Sequence, residues 1–94
     1  MDMYKIKVEN MVSRNGNKVP NQFEIVTDLG IYFQSYKTVI AFKPHKAGSP
    51  IRLDKNRWDY SVTTSRYRNI FLDESTKETE RKIKSGEYVL VDLN

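Results

Sequence analysis

The chain has 94 residues and a mass of 11.1 kDa, enough for one folded core and too little for two, which excludes a multidomain enzyme. Sixteen Lys and Arg against twelve Asp and Glu give a net charge of +4, which favours polyanionic or acidic partners. Cysteine is absent, so disulfides, thiolate zinc sites and a cysteine nucleophile are excluded together.

The first ten residues, MDMYKIKVEN, contain no apolar run of signal-peptide length. The longest apolar-rich run, Thr38 to Phe42, is far short of the roughly 18 residues of a membrane span. A soluble, cytoplasmic protein is expected. Six Tyr, four Phe and one Trp must supply much of a small core, so each aromatic is first a candidate for packing.

Tyr4, Ile6 and Val8 alternate with Lys5, Lys7 and Glu9, the period of a strand with one buried face. Ser13 to Asn21 collects turn formers around Asn15-Gly16 and reads as a loop or hairpin tip. Phe23, Ile25 and Thr27 begin a second strand. Asp28-Leu29-Gly30 then turns the chain, with Gly30 expected to supply a left-handed residue, and Ile31 to Phe42 reads as one long central strand. In that reading Tyr32, Tyr36, Ile40 and Phe42 line one face, and Phe33, Val39 and Ala41 the other.

Lys43 to Pro50 is a loop bounded by prolines, followed by a short strand at Ile51 to Leu53 and a turn at Asp54-Lys55-Asn56. Thr63 or Thr64 is expected to cap a helix ending near Leu72, with Tyr67, Ile70 and Phe71 on one face. Ser75-Thr76-Lys77-Glu78 has the capping-box pattern and starts a second helix, which Gly86 ends. Ile83 is its one strong apolar residue, sharing a face with Thr76 and Thr79. Glu78 with Lys82 and Glu80 with Lys84 have the favourable i, i+4 order. Glu87 to Leu93 closes the chain as a strand. The order β-β-β-β-α-α-β predicts an α+β domain: an antiparallel sheet of four or five strands with two short helices packed on it.

Catalytic constellations are thin. His45 is the single histidine and lies in a loop, which excludes a multi-histidine metal site within one chain. Asp54 and Asp59 bracket Trp58, but Asp54 also begins a natural turn. Ser35, Ser61, Thr63 and Thr64 have no histidine or lysine partner at a motif spacing, and no glycine-rich phosphate loop exists. The expectation is a protein that is not an enzyme and takes no cofactor or metal.

The charge is concentrated. From Lys43 to Arg68, seven cations and two anions leave +5, while the remaining residues sum to −1. Trp58, Tyr60 and Tyr67 are interleaved with those cations, and guanidinium plus aromatic groups are what single-stranded nucleic-acid grooves use. Arg52, Arg57, Arg66 and Arg68 are therefore candidate phosphate contacts, and Trp58 and Tyr60 candidate stacking or anchoring groups. Two other readings stay open. Trp58 and Tyr67 can be core with the arginines as ordinary solvated edges, or the same residue types can grip an acidic protein.

Val19 to Ile25 (VPNQFEI), Tyr32-Phe33-Gln34-Ser35-Tyr36 with Thr38, Ile40 and Ala41, Leu53-Asp54, Trp58-Asp59-Tyr60-Ser61 with Thr63-Thr64, and the ending KIKSGEYVLVDLN together carry a resemblance. On these segments the chain resembles a family of small uncharacterised proteins encoded by phages and conjugative elements of Gram-positive bacteria. The resemblance implies a context without assigning a reaction or a residue role. Small accessory proteins of such elements bind DNA, or bind and block a host protein, including nucleic-acid-guided defence complexes. The expected partner is nucleic acid or a host nucleic-acid-binding complex; the alternative is an inhibitor of a host protein, an anti-defence factor of the anti-CRISPR kind. In the same segments, Asp59 and Ser61 are expected to fix the start of the first helix; the alternative is that Gln34-Ser35-Tyr36 and Trp58 to Thr64 form a binding surface together.

Overall fold

The computed structural model describes residues 5–94. It is an α+β domain with a six-stranded sheet in the order β1 (Lys7–Val12), β2 (Lys18–Val26), β3 (Gly30–Ser35), β4 (Thr38–Pro44), β5 (Ile51–Asp54) and β6 (Tyr88–Val91). The first five strands form an antiparallel meander, and β6 pairs parallel to β5. A parallel neighbour requires a crossover, which α1 (Val62–Leu72) and α2 (Thr76–Ser85) supply. The α+β class and a mainly antiparallel sheet are as expected; the sheet has six strands where four or five were expected, and one of its pairings is parallel.

The sixth strand comes from splitting the run Ile31 to Phe42. Ser35 pairs with Thr38 across a tight turn in which Tyr36 takes φ 56°. A left-handed tyrosine costs about 1–2 kcal/mol. Its amide donates to the Asn21 carbonyl at 2.6 Å and its own carbonyl accepts from Gln34 Nε2 at 2.8 Å, which offsets that cost. Tyr36 is thus a half-exposed turn residue and not part of a strand face. Ile40 occupies the bulge opposite Phe33 and Gln34, and it joins the core on the Phe33 side.

Gly30 is also corrected. Its φ is not positive; a Cβ there would lie 2.3 Å from the Lys43 carbonyl oxygen and 2.6 Å from the Phe42 ring, so close approach is what demands glycine. The hairpin tip at Asn15-Gly16 is as expected, with Gly16 at φ 83°. The loop there is shorter than expected, because β2 already begins at Lys18.

Register sorts the side chains into two faces. Glu24, Phe33, Ala41 and Leu53 lie in one row, and Phe33 stacks on Phe71 of α1 with centroids 5.7 Å apart. Met11, Phe33, Ile40, Ala41, Leu53, Phe71, Leu72 and Tyr88 form the core on this helix side. On the other face, Val8, Ile25, Tyr32, Phe42, Arg52 and Val89 form a row across all six strands. Ile6 and Val8, expected to be buried by strand 1, are exposed, and Met11 is the strand's buried residue. Tyr4 lies outside the described residues.

In α1 the N-cap is Ser61, whose hydroxyl accepts from the Thr64 amide; neither Thr63 nor Thr64 caps it. Its buried stripe is Thr64, Arg68, Phe71 and Leu72, while Ile70 is exposed. α2 follows its sequence signals: Ser75 caps the Glu78 amide, Gly86 ends it at φ 86°, and Ile83 packs on the core. The expected ion pairs re-partner. Glu78 binds Arg81, and Lys82 reaches Glu74 at 2.8 Å.

Candidate nucleic-acid interface

The six candidate residues divide by what lies beneath them. After β5, the amides of Arg57 and Trp58 both donate to the Asp54 carbonyl, a turn that lays Trp58 against the core and leaves Arg57 and Tyr60 outside. The Arg57 guanidinium sits over the Tyr60 ring, 5.7 Å from its centroid. Within α1, Arg66 points outward and Arg68 inward. Tyr60, Val62 and Arg66 form the rim of a shallow groove of about 570 Å³, open to solvent.

Arg68 does not reach solvent and is corrected as a phosphate contact. The residue is 0% exposed. Its Nη1 donates to the Trp58 carbonyl at 2.5 Å and to Asp59 Oδ1 at 3.3 Å, and its Nη2 to Thr76 Oγ1 at 2.8 Å and Asn69 Oδ1 at 3.0 Å. The guanidinium also lies 5.0 Å from the Trp58 ring centroid. Trp58, partly buried, is therefore a wall of the Arg68 site more than an exposed stacking surface. Arg52 is exposed but belongs to the opposite face of the sheet, flanking Phe42 at 5.8 Å. Arg57, Tyr60 and Arg66 are brought together; Arg52 is apart from them, and Trp58 and Arg68 support them from below.

The groove floor consists of groups that the sequence reading did not single out as binding residues. Asp59, Ser65, Asn69 and Thr76 line it, and each hydrogen-bonds the buried guanidinium. Asp59 Oδ1 additionally accepts from the Ser65 hydroxyl at 2.9 Å, so the carboxylate is held from two sides while its side chain stays 43% exposed. One turn of helix separates Ser65 from Arg68, a spacing visible in sequence. Thr76 arrives from α2, and no local pattern announces it.

A family model described as a family of unknown function, DUF8033, matches residues 6–87. That span is most of the 94 residues and includes the whole groove. The chain belongs to this family. No curated protein and no solved structure matches it.

Elsewhere in the DUF8033 domain the ionisable groups do structural work. Asp54 is 1% exposed; burial alone would raise its carboxyl, but hydrogen bonds from the Leu93 amide at 2.9 Å, the Asn94 side chain at 3.1 Å and the Asn56 amide at 3.2 Å hold it below the usual value. Its place at the turn is the one expected, and it makes no pair with Asp59. Glu74 is treated the same way: burial opposes ionisation, and Lys82, Thr79 and Tyr88 more than compensate. Burial and the bond to Glu74 push the Tyr88 phenol up to about 12. His45 is exposed in its loop, near the Thr27 carbonyl at 3.1 Å. Among the described residues no group of three or more His, Cys, Asp or Glu is placed to hold a metal, and no helix is long and apolar enough to cross a membrane.

Proposed function

We propose that this DUF8033 domain is a non-enzymatic accessory protein of a mobile genetic element, a phage or conjugative element of Gram-positive bacteria. In this reading it acts in the cytoplasm and binds nucleic acid, or a nucleic-acid-protein complex, through Arg57, Tyr60 and Arg66. The observation that carries the reading is that exposed Arg66 and half-exposed Tyr60 line one groove, while the exposed Arg57 guanidinium lies beside it over the Tyr60 ring. Guanidiniums match phosphates and an aromatic ring offers a stacking surface, the pairing that single-stranded nucleic acid requires. The element context rests on the sequence resemblance.

Fluorescence anisotropy of labelled single- and double-stranded oligonucleotides tests it. Two phosphate contacts on a single strand give a log-log salt slope of about −1.4, so affinity should fall roughly sevenfold between about 50 and about 200 mM salt. Replacing Arg57 and Arg66 with Ala should flatten that slope. Binding that both replacements leave unchanged for every oligonucleotide rules the assignment out.

The uncovered sheet face favours a second reading, inhibition of a host protein. Val8 and Val89 are exposed there in one apolar row with Arg52, and an acidic protein surface with a carboxylate opposite Arg52 suits it. A nuclease-resistant host partner held by the wild type and lost on Arg52→Glu plus Val8→Asp would shift the function to that face. Retention by the double variant would exclude it.

A further inference from the structure

Resting on the nucleic-acid reading, we propose that the groove is a nucleobase pocket, in which an unstacked base of a single strand lies against Tyr60 and gives its exocyclic amino group to Asp59. The volume, about 570 Å³, falls in the range of small-ligand sites, and its openness suits a base still attached to its strand better than a free metabolite. Tyr60 is 44% exposed and lines the groove, with the Arg57 guanidinium already over its ring.

The carboxylate is the specific element. Asp59 Oδ1 is occupied by Ser65 and Arg68, and among the described residues Oδ2 accepts no hydrogen bond. A carboxylate in a phosphate-binding groove would ordinarily repel the strand. Here the buried Arg68 offsets its charge from beneath, at 3.3 Å, so Arg66 in the lining and Arg57 over the adjacent Tyr60 ring leave the surroundings positive. The free oxygen is an acceptor only, oriented by its own contacts. It therefore selects a donor edge, such as the N4 amino group of cytosine, over the O4 acceptor of thymine.

The experiment compares oligo-dC with oligo-dT, two pyrimidines of similar stacking surface, by anisotropy at low salt. The wild type should bind dC about tenfold more tightly, the worth of one hydrogen bond to a charged group. Asp59→Asn keeps an acceptor for Ser65 and Arg68 but supplies an amide that can serve either base, so the ratio should fall to about one with overall affinity kept or raised. Tyr60→Leu should weaken both oligonucleotides about fivefold or more and leave the ratio intact. Circular dichroism confirms the fold of each variant, and Asp59→Glu, which displaces the carboxylate by one methylene, replaces Asp59→Asn if the latter unfolds. Equal binding of dC and dT by the wild type, or a ratio that Asp59 variants preserve, overturns the pocket while leaving the nucleic-acid reading standing. Absence of binding to either oligonucleotide overturns the pocket together with the single-stranded form of the nucleic-acid reading.

Discussion

Truncating Arg68 separates a structural guanidinium from a ligand-binding one. Four of its contacts are at 3.3 Å or less, three of them to the Trp58 carbonyl, Thr76 and Asn69, which the side chain shields from water. Hydrogen bonds to a charged group each contribute about 1.5–3 kcal/mol but do not add, and removing one member of a buried ionic set costs about 3–5 kcal/mol. Asp59 is partly solvated and softens the loss. Arg68→Ala should therefore cost about 3–4 kcal/mol, against a total of roughly 5–14 kcal/mol for a domain of this size. In urea, with a slope of about 1–2 kcal/mol/M, the midpoint should drop by about 1.5–4 M. Trp58 is the single tryptophan and lies on the guanidinium, so its emission reports the transition directly. Arg68→Lys keeps the charge but not the fork and should fall between wild type and Arg68→Ala. Arg57→Ala and Arg66→Ala should leave the midpoint where it is. An Arg68→Ala variant within about 1 kcal/mol of wild type at unchanged slope would refute the reasoning.

Three further outcomes are expected. Gln22 is 0% exposed and neither amide atom has a hydrogen-bond partner among the described residues, so Gln22→Met should stabilise by about 1 kcal/mol in the same urea assay; destabilisation would mean the amide is satisfied. Gly30→Ala drives a Cβ into the Lys43 carbonyl and should cost about 3 kcal/mol or unfold the domain, whereas Gly16→Ala meets no atom within 4 Å and should cost about 1 kcal/mol through its positive φ; equal losses in thermal melts would contradict this. Glu74 and Asp54 have carboxyls depressed below their ordinary values of 4.5 and 3.8, so their contribution is complete above those values and is lost as pH falls through the folded ones. Glu74→Gln should shallow the acid-side fall in the melting temperature, and at the alkaline end the Tyr88 phenol, raised from 10.0 to about 12, should make stability decline between those two pH values, with an absorbance titration as the check.

Where a local group satisfies a local need, the sequence was readable. Ser75 and Gly86 bound α2 because capping is settled within three or four residues, and Asn15-Gly16 turns because Gly16 alone there needs a left-handed backbone. The misreadings arise where a distant group decides. Tyr36 turns with no glycine because the Asn21 carbonyl, across the β2–β3 pairing, receives its amide. Gly30 is required by the neighbouring strand's Lys43 carbonyl and Phe42 ring rather than by its own φ. The parallel placement of β6 beside β5 depends on the two-helix crossover, and no alternation within YVLV encodes direction.

Charge counting along the chain failed in an instructive way, because position in sequence does not state which side of an element a cation leaves from. Arg66 and Arg68 are two residues apart on a helix, about 200° around its axis, so if one faces the groove rim the other must face the core. Arg52 sits between Ile51 and Leu53, and strand alternation sends it to the face away from both helices. Lys43 is spent on the Phe71 carbonyl at 2.8 Å and on its ring. The local +5 is thus distributed over two faces and an interior. The interior charge is what allows Asp59 to stand in a groove with a positive rim: Arg68 shapes the electrostatics of the site without touching anything that enters it. That is why an Arg68 variant that still folds should alter the dC over dT ratio through Asp59, while Arg57 and Arg66 variants should alter the salt slope and leave the ratio alone.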